Sequence, residues 1–218
     1  MRQTYNWRTL PAPVMRVLAR TAAQRARQRR PPALGDNAAM RRFSLIFALL
    51  GLLAACSPAL NWRSISLADA PLSLVLPCKP DYAVRDVDWG AGKQQLSMAG
   101  CQADGATWAV SHVLLAQPQE APAVLTRWQQ ALQNQLQLPP DTPAGVVFLL
   151  KGALELPQAV QVQWQGRDAQ GAPVVADARW WARLEGTGVR VYQAIVLSPR
   201  QPVAVAARDT FVQGLQLR

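Results

Sequence analysis

Apolar and polar residues alternate with a period of two over most of the chain beyond residue 60, the signature of strands with two distinct faces. Trp62–Leu67 and Leu72–Leu76 are short apolar runs, the second closed by Pro77-Cys78-Lys79-Pro80. In Tyr82–Trp89, Tyr82, Val84, Asp86 and Asp88 share one face, and Ala83, Arg85, Val87 and Trp89 share the other. Gly90-Ala91-Gly92 is a turn signal, which predicts that Lys93–Ala99 returns as a hairpin. If Gly90 and Lys93 flank that turn, Cys101 faces Tyr82. Trp108–Leu115 is another strand, with Trp108, Val110, His112 and Leu114 on one face. The period then changes. Ala121, Val124, Leu125, Trp128, Ala131, Leu132 and Leu136 recur at spacings of three and four, which predicts one main helix over 121–138. Pro122 suits its first turn and Pro139-Pro140 ends it. Strand patterns resume at Val160–Gln165, Asp177–Glu185 and Val189–Leu197, separated by turns at Gly166–Gly171 and Gly186-Thr187-Gly188. A helical turn through Ala206, Ala207 and Phe211 and a short strand complete the pattern. Strands, one helix and more strands in hairpin order predict an α+β fold around an antiparallel sheet.

The first 58 residues follow a different logic. Of the net charge of +10, +9 falls in residues 1–55, which carry ten arginines and one acid, Asp36. Residues 56–218 hold 13 basic and 12 acidic residues. The folded part therefore lacks the basic excess of a nucleic-acid-binding domain, and no nucleic-acid partner is expected. Residues 1–39 are rich in Arg, Ala, Gln and Pro and have no apolar periodicity. They are read as a disordered or untranslated leader, with translation starting at Met40 rather than Met1 or Met15.

From Met40, Met40-Arg41-Arg42 makes a positive n-region and residues 43–55 an apolar run of 13 residues. That run is short for a membrane-spanning helix, which needs roughly 20 residues. Leu53-Ala54-Ala55-Cys56 follows. This motif resembles the lipobox of bacterial lipoproteins at all four positions. The resemblance implies a signal peptide over 40–55, lipidation of Cys56, cleavage before it, and a mature domain over 56–218. Ser57, where retained lipoproteins carry Asp, implies export to the outer membrane, facing the periplasm.

Candidate chemistry in the mature part is sparse. Its single histidine, His112, shares a face with Trp108 and Val110 and reads as a packed core residue, and no Gly-x-Ser-x-Gly elbow accompanies it. Asp86 and Asp88 point the same way and read as a solvated face. Gly90-Ala91-Gly92-Lys93 lacks the remaining Walker positions, Val87 and Gln94 standing in their place. No catalytic residue, metal site or cofactor is expected. With Cys56 lipidated, Cys78 and Cys101 are the two thiols left in an oxidising compartment, and a disulfide between them is expected. Trp181 sits among Arg179, Arg183 and Glu185. Either a helix covers that face or Trp181 belongs to a contact surface; large residues on both faces favour a second packing layer.

Leu76-Pro77-Cys78-Lys79-Pro80, the central helix and the closing Phe211 and Leu215 loosely resemble the PsbP-like α/β/α sandwich. That resemblance implies a binding or assembly role and no catalytic residue. The nearer likeness is to uncharacterised lipoproteins of Gram-negative bacteria. The expectation is a non-enzymatic protein tethered to the membrane through its lipid, with an envelope protein as partner. Two rivals are a periplasmic enzyme acting on cell-wall or sugar substrates through carboxylates, and an uncleaved single-pass protein anchored by residues 43–60.

Overall fold

Alternating strands with apolar residues on both faces need cover on both sides, and the chain supplies it with two unlike layers. The structure, a computed structural model, describes residues 59–88 and 92–218. The leader, the apolar run, Cys56 and the residues 89–91 lie outside them.

Ten strands and two helices follow one another in the described residues. The strands are β1 (Arg63–Ser66), β2 (Leu72–Leu76), β3 (Asp81–Asp88), β4 (Lys93–Ala103), β5 (Ala106–Leu115), β6 (Val146–Val147), β7 (Val160–Arg167), β8 (Pro173–Glu185), β9 (Gly188–Pro199) and β10 (Gln216–Leu217). The helices are α1 (Ala121–Gln135) and α2 (Val205–Gln213). β3-β4-β5-β9-β8-β7-β6 form a seven-stranded sheet and β1-β2-β10 a three-stranded one, with every pairing antiparallel. The expected α+β fold with an antiparallel sheet and one main helix is the observed one. No helix among the described residues is long and apolar enough to cross a membrane.

α1 lays Val124, Leu125, Trp128 and Leu132 on one face of the large sheet, against Val113, Val162, Trp164, Ala178, Trp180 and Val191. The small sheet and α2 build the second core on the opposite face: Leu72, Leu74, Leu76 and Phe211 gather with Trp108, Val110, Trp181 and Tyr192. Adjacent residues of one strand point to opposite faces, so Trp180 and Trp181 belong to different cores, and both are fully buried. Trp181 is therefore not part of a contact surface. Its indole stacks on Tyr192, centroids 5.1 Å apart, and meets Phe148 edge-on at 5.9 Å. The cover is a second sheet together with α2 and Phe148, not a helix alone.

Two local expectations are corrected. Tyr82 pairs with Ala99 and Asp88 with Lys93, so four residues connect β3 to β4 and Cys101 lies beyond the β3 pairing instead of facing Tyr82. A slip of two residues keeps every side chain on its face, which is why the patterning alone did not reveal it. The main helix ends at Gln135 rather than 138, because Gln137 turns left-handed at φ 55°. The Leu138 and Gln137 amides donate back to the carbonyls of Gln133 and Asn134, the two closing bonds of a Schellman motif, before Pro139 is reached.

Cys78 and Cys101 form a disulfide, with Cα atoms 5.9 Å apart. The bond ties the segment leaving β2 to β4, and so links the small sheet to the large one.

Candidate functional site: a neutral polar cleft and a buried imidazole cluster

Strands β7 and β8 bury Val160, Val162, Trp164, Ala176 and Ala178 against α1. Alternation then puts Gln161, Gln163, Asp177 and Arg179 on the α2 side. These four residues floor a cleft of about 620 Å³, walled by Arg208, Asp209, Val212 and Gln213 of α2 and by the segment 143–146. The volume suits a small ligand or a few residues of peptide.

Charge in the cleft is balanced. Arg179 Nη1 donates to Asp177 Oδ1, both side chains being buried. Residues at i and i+2 of a strand share a face, which brings these opposite charges together. The Arg179 guanidinium carbon stands 5.9 Å from the centre of the Phe148 ring, and its Nε is buried with no hydrogen-bond partner among the described residues. Arg208 donates from Nε and Nη2 to Asp209 Oδ1 at 3.1 and 3.0 Å. Two cations and two carboxylates cancel, so the cleft has no general attraction for anions or cations. Among the described residues no Ser, Thr, Cys, His or Lys lines it, and arginines engage both carboxylates. Its chemistry is hydrogen bonding from amides and guanidinium groups.

A second polar cluster sits at the other end of the same sheet face. His112 of β5 is buried, as expected of a packed core residue, with the Tyr192 ring 5.9 Å away, and both of its ring nitrogens also meet polar partners. Arg190 Nη1 lies 2.9 Å from His112 Nδ1, and Asp69 Oδ1, in the β1–β2 connection, lies 3.3 Å from Nε2. A guanidinium can only donate, so Nδ1 accepts and the ring proton is on Nε2, facing Asp69. Arg190 also grips Glu185 bidentately, Nε to Oε2 and Nη2 to Oε1, each at 2.6 Å. Burial pushes the His112 pKa down; Asp69 opposes the shift and Arg190 adds to it, and the result lies below the ordinary value. Burial pushes the Asp69 carboxyl up, but the Ser97 hydroxyl and the charges of His112 and Arg190 bring it below its usual range. The Arg190 hydrogen bonds hold Glu185 low as well. Burial raises the Tyr192 phenol to about 12.

Ser97, opposite His112 across the β4–β5 ladder, bonds to the Asp69 carboxylate and not to the imidazole. The order required for an activated serine is therefore not met. The cluster fastens the β1–β2 connection and the β8–β9 hairpin to β5.

This cluster predicts acid sensitivity. The folded state holds His112 neutral while the unfolded chain binds a proton near its ordinary pKa of about 6.5, so stability falls as pH drops below that value. Asp69 and Glu185, both held low, act in the same direction at more acidic pH: their stabilising contribution is lost as they protonate. Urea unfolding at pH 7.5 and 5.5 should show a lower midpoint at pH 5.5, and His112→Gln should flatten the difference. An unchanged slope in the variant would assign the pH dependence to other groups.

Of the residues singled out in the sequence, Cys78 and Cys101 are bonded, Trp181 is core, and Cys56 lies outside the described residues. Asp86 and Asp88 are exposed on β3. No group of three or more His, Cys, Asp or Glu that could hold a metal ion occurs among the described residues. The pattern missed Arg179–Asp177 and the partners of His112. The first had a partial signal: Asp177 and Arg179 stand at i and i+2, so they share a face and their opposite charges can pair. The second had none, because Asp69, His112 and Arg190 are joined only by the topology. No protein-family model matches the chain, and no curated protein matches it either.

Proposed function

We propose that this chain is a bacterial lipoprotein that holds a ligand-binding domain at the periplasmic face of the outer membrane and performs no catalysis. The observation that carries the binding role is the cleft: a buried arginine with an unsatisfied Nε, amide side chains around it, and no nucleophile among the described residues of its lining. The anchor rests on Leu53-Ala54-Ala55-Cys56 behind a 13-residue apolar run. Its partner is a protein of the envelope. An enzyme working through carboxylates draws less support, because the cleft's Asp177 and Asp209 are both paired with arginine.

Cys56→Ser tests the anchor. Two acyl chains hold a protein stably at a bilayer, each buried methylene adding about 0.8 kcal/mol. The variant should lose lipid modification and either leave the membrane fraction or accumulate as a larger precursor, read by intact mass and fractionation. Normal acylation and processing of the variant would overturn the lipoprotein reading.

A further inference from the structure

β6 covers only the first two residues of β7, Val147 pairing with Val160 and Val146 with Gln161. Along an antiparallel strand, the backbone N–H and C=O of successive residues turn to alternate neighbours. Two bonds identify the residues that turn away from β8. The Phe148 amide donates to the Ala159 carbonyl at 2.9 Å, and the Arg167 amide donates to the Leu136 carbonyl at 2.9 Å. Pairing of β7 with β8 runs without a break from Gln161 to Arg167. The groups of Gln163 and Gln165 therefore turn outward too, and among the described residues no backbone hydrogen bond reaches them.

The chain between Leu136 and Val146 joins the two ends of this stretch and, among the described residues, gives Gln163 and Gln165 no backbone hydrogen bond. It carries Pro139, Pro140 and Pro143, which have no N–H to give, and it turns on itself through the Thr142 amide and the Pro139 carbonyl. The gap opens into the cleft, where Gln163 lies with Arg179. Beside it, Val146 and Val147 are 64% exposed.

We infer that this gap receives a short extended polypeptide segment from a protein partner, added to β7 as a partial strand with alternate side chains entering the cleft. The inference rests on the cleft being a ligand site and names its ligand class. Donors and acceptors repeating at the spacing of a strand are met together by another extended backbone. A polyanion gains nothing from a cleft whose charges cancel. The open ladder is two residues long on its outward side, so the segment is roughly three to four residues at about 3.3 Å each.

The test uses the full-length protein in detergent and a fluorescein-labelled hexapeptide of alternating serine and valine, capped at both ends, followed by fluorescence anisotropy. Gln163→Pro removes the outward N–H without touching the β7–β8 ladder, whereas Gln163→Ala keeps it. Both variants lose the amide side chain and only the proline also loses the N–H, so Gln163→Pro should bind at least tenfold more weakly than Gln163→Ala. The same peptide N-methylated at every backbone amide should bind wild type at least tenfold more weakly; this arm does not depend on how the proline variant folds. Absence of binding to wild type, equal binding by Gln163→Ala and a folded Gln163→Pro protein, or equal binding of the methylated peptide overturns the inference. An N-acetylglucosamine tetramer titrated in parallel separates the two levels of argument. If it binds while the peptide is silent, the cleft remains a ligand site and the polypeptide class is wrong; silence of both removes the binding role as well.

Discussion

Trp181→Ala should cost the domain roughly 3–5 kcal/mol, the range for removing a large aromatic side chain from a packed core. The side chain is fully buried, stacked on Tyr192 and met edge-on by Phe148. Deletion leaves a cavity between two sheets, and the rigid layers around it can collapse only in part. Urea denaturation of wild type and variant measures the loss. A change under about 1 kcal/mol would mean that solvent already reaches this face, and that the second layer does not pack on β8 as described. Trp181→Phe retains a ring and should lose less.

Breaking the Cys78–Cys101 bond should cost about 3 kcal/mol, since the cross-link closes a loop of sequence separation 23 and restricts the unfolded chain accordingly. The bond also joins the exit of β2 to β4, so the loss should fall on the attachment of the small sheet. Wild type unfolded in urea with and without reductant, beside the Cys78→Ala/Cys101→Ala double variant, gives the value. Reductant should lower the midpoint of wild type and leave the double variant unmoved. Alkylation of unfolded, unreduced protein should label neither cysteine; labelling of both would refute the bridge.

Much of the fold was legible because it rests on local periodicity. The α1 stripe, the hairpins either side of Gly92 and Gly186, and the final helix and strand each follow from spacing within a few residues. What failed was set by contacts with distant residues or by local φ choices that spacing does not report. The β3–β4 register depended on a four-residue connection rather than a two-residue one. Gln137 ended the helix by adopting a conformation usually left to glycine or asparagine. The disulfide was legible despite the wrong register, because a shift of two preserved the facing and the compartment argument did not depend on it. The candidate site was the least legible part. β6 is two residues long and has no pattern to find, so neither the open edge of β7 nor the cleft beside it can be anticipated from the chain. His112 looked apolar because its strand neighbours are, and its partners come from positions 69 and 190.

The placement of β10 bears on how the molecule folds in time. β2 sits between β1, its near neighbour in sequence, and β10, which pairs Leu217 with Leu72. The small sheet thus joins contacts of very different loop length, and its second edge waits for nearly the whole described chain. Pairings across long separations slow folding, because loop entropy is lost before the contact forms. Leu72 and Ser73 therefore gain their second partner only when residues 216–217 reach them, whereas the hairpins of the large sheet close over short loops. During that interval β2 presents an unpaired edge with apolar side chains, the kind of strand that pairs wrongly with other chains unless it is covered.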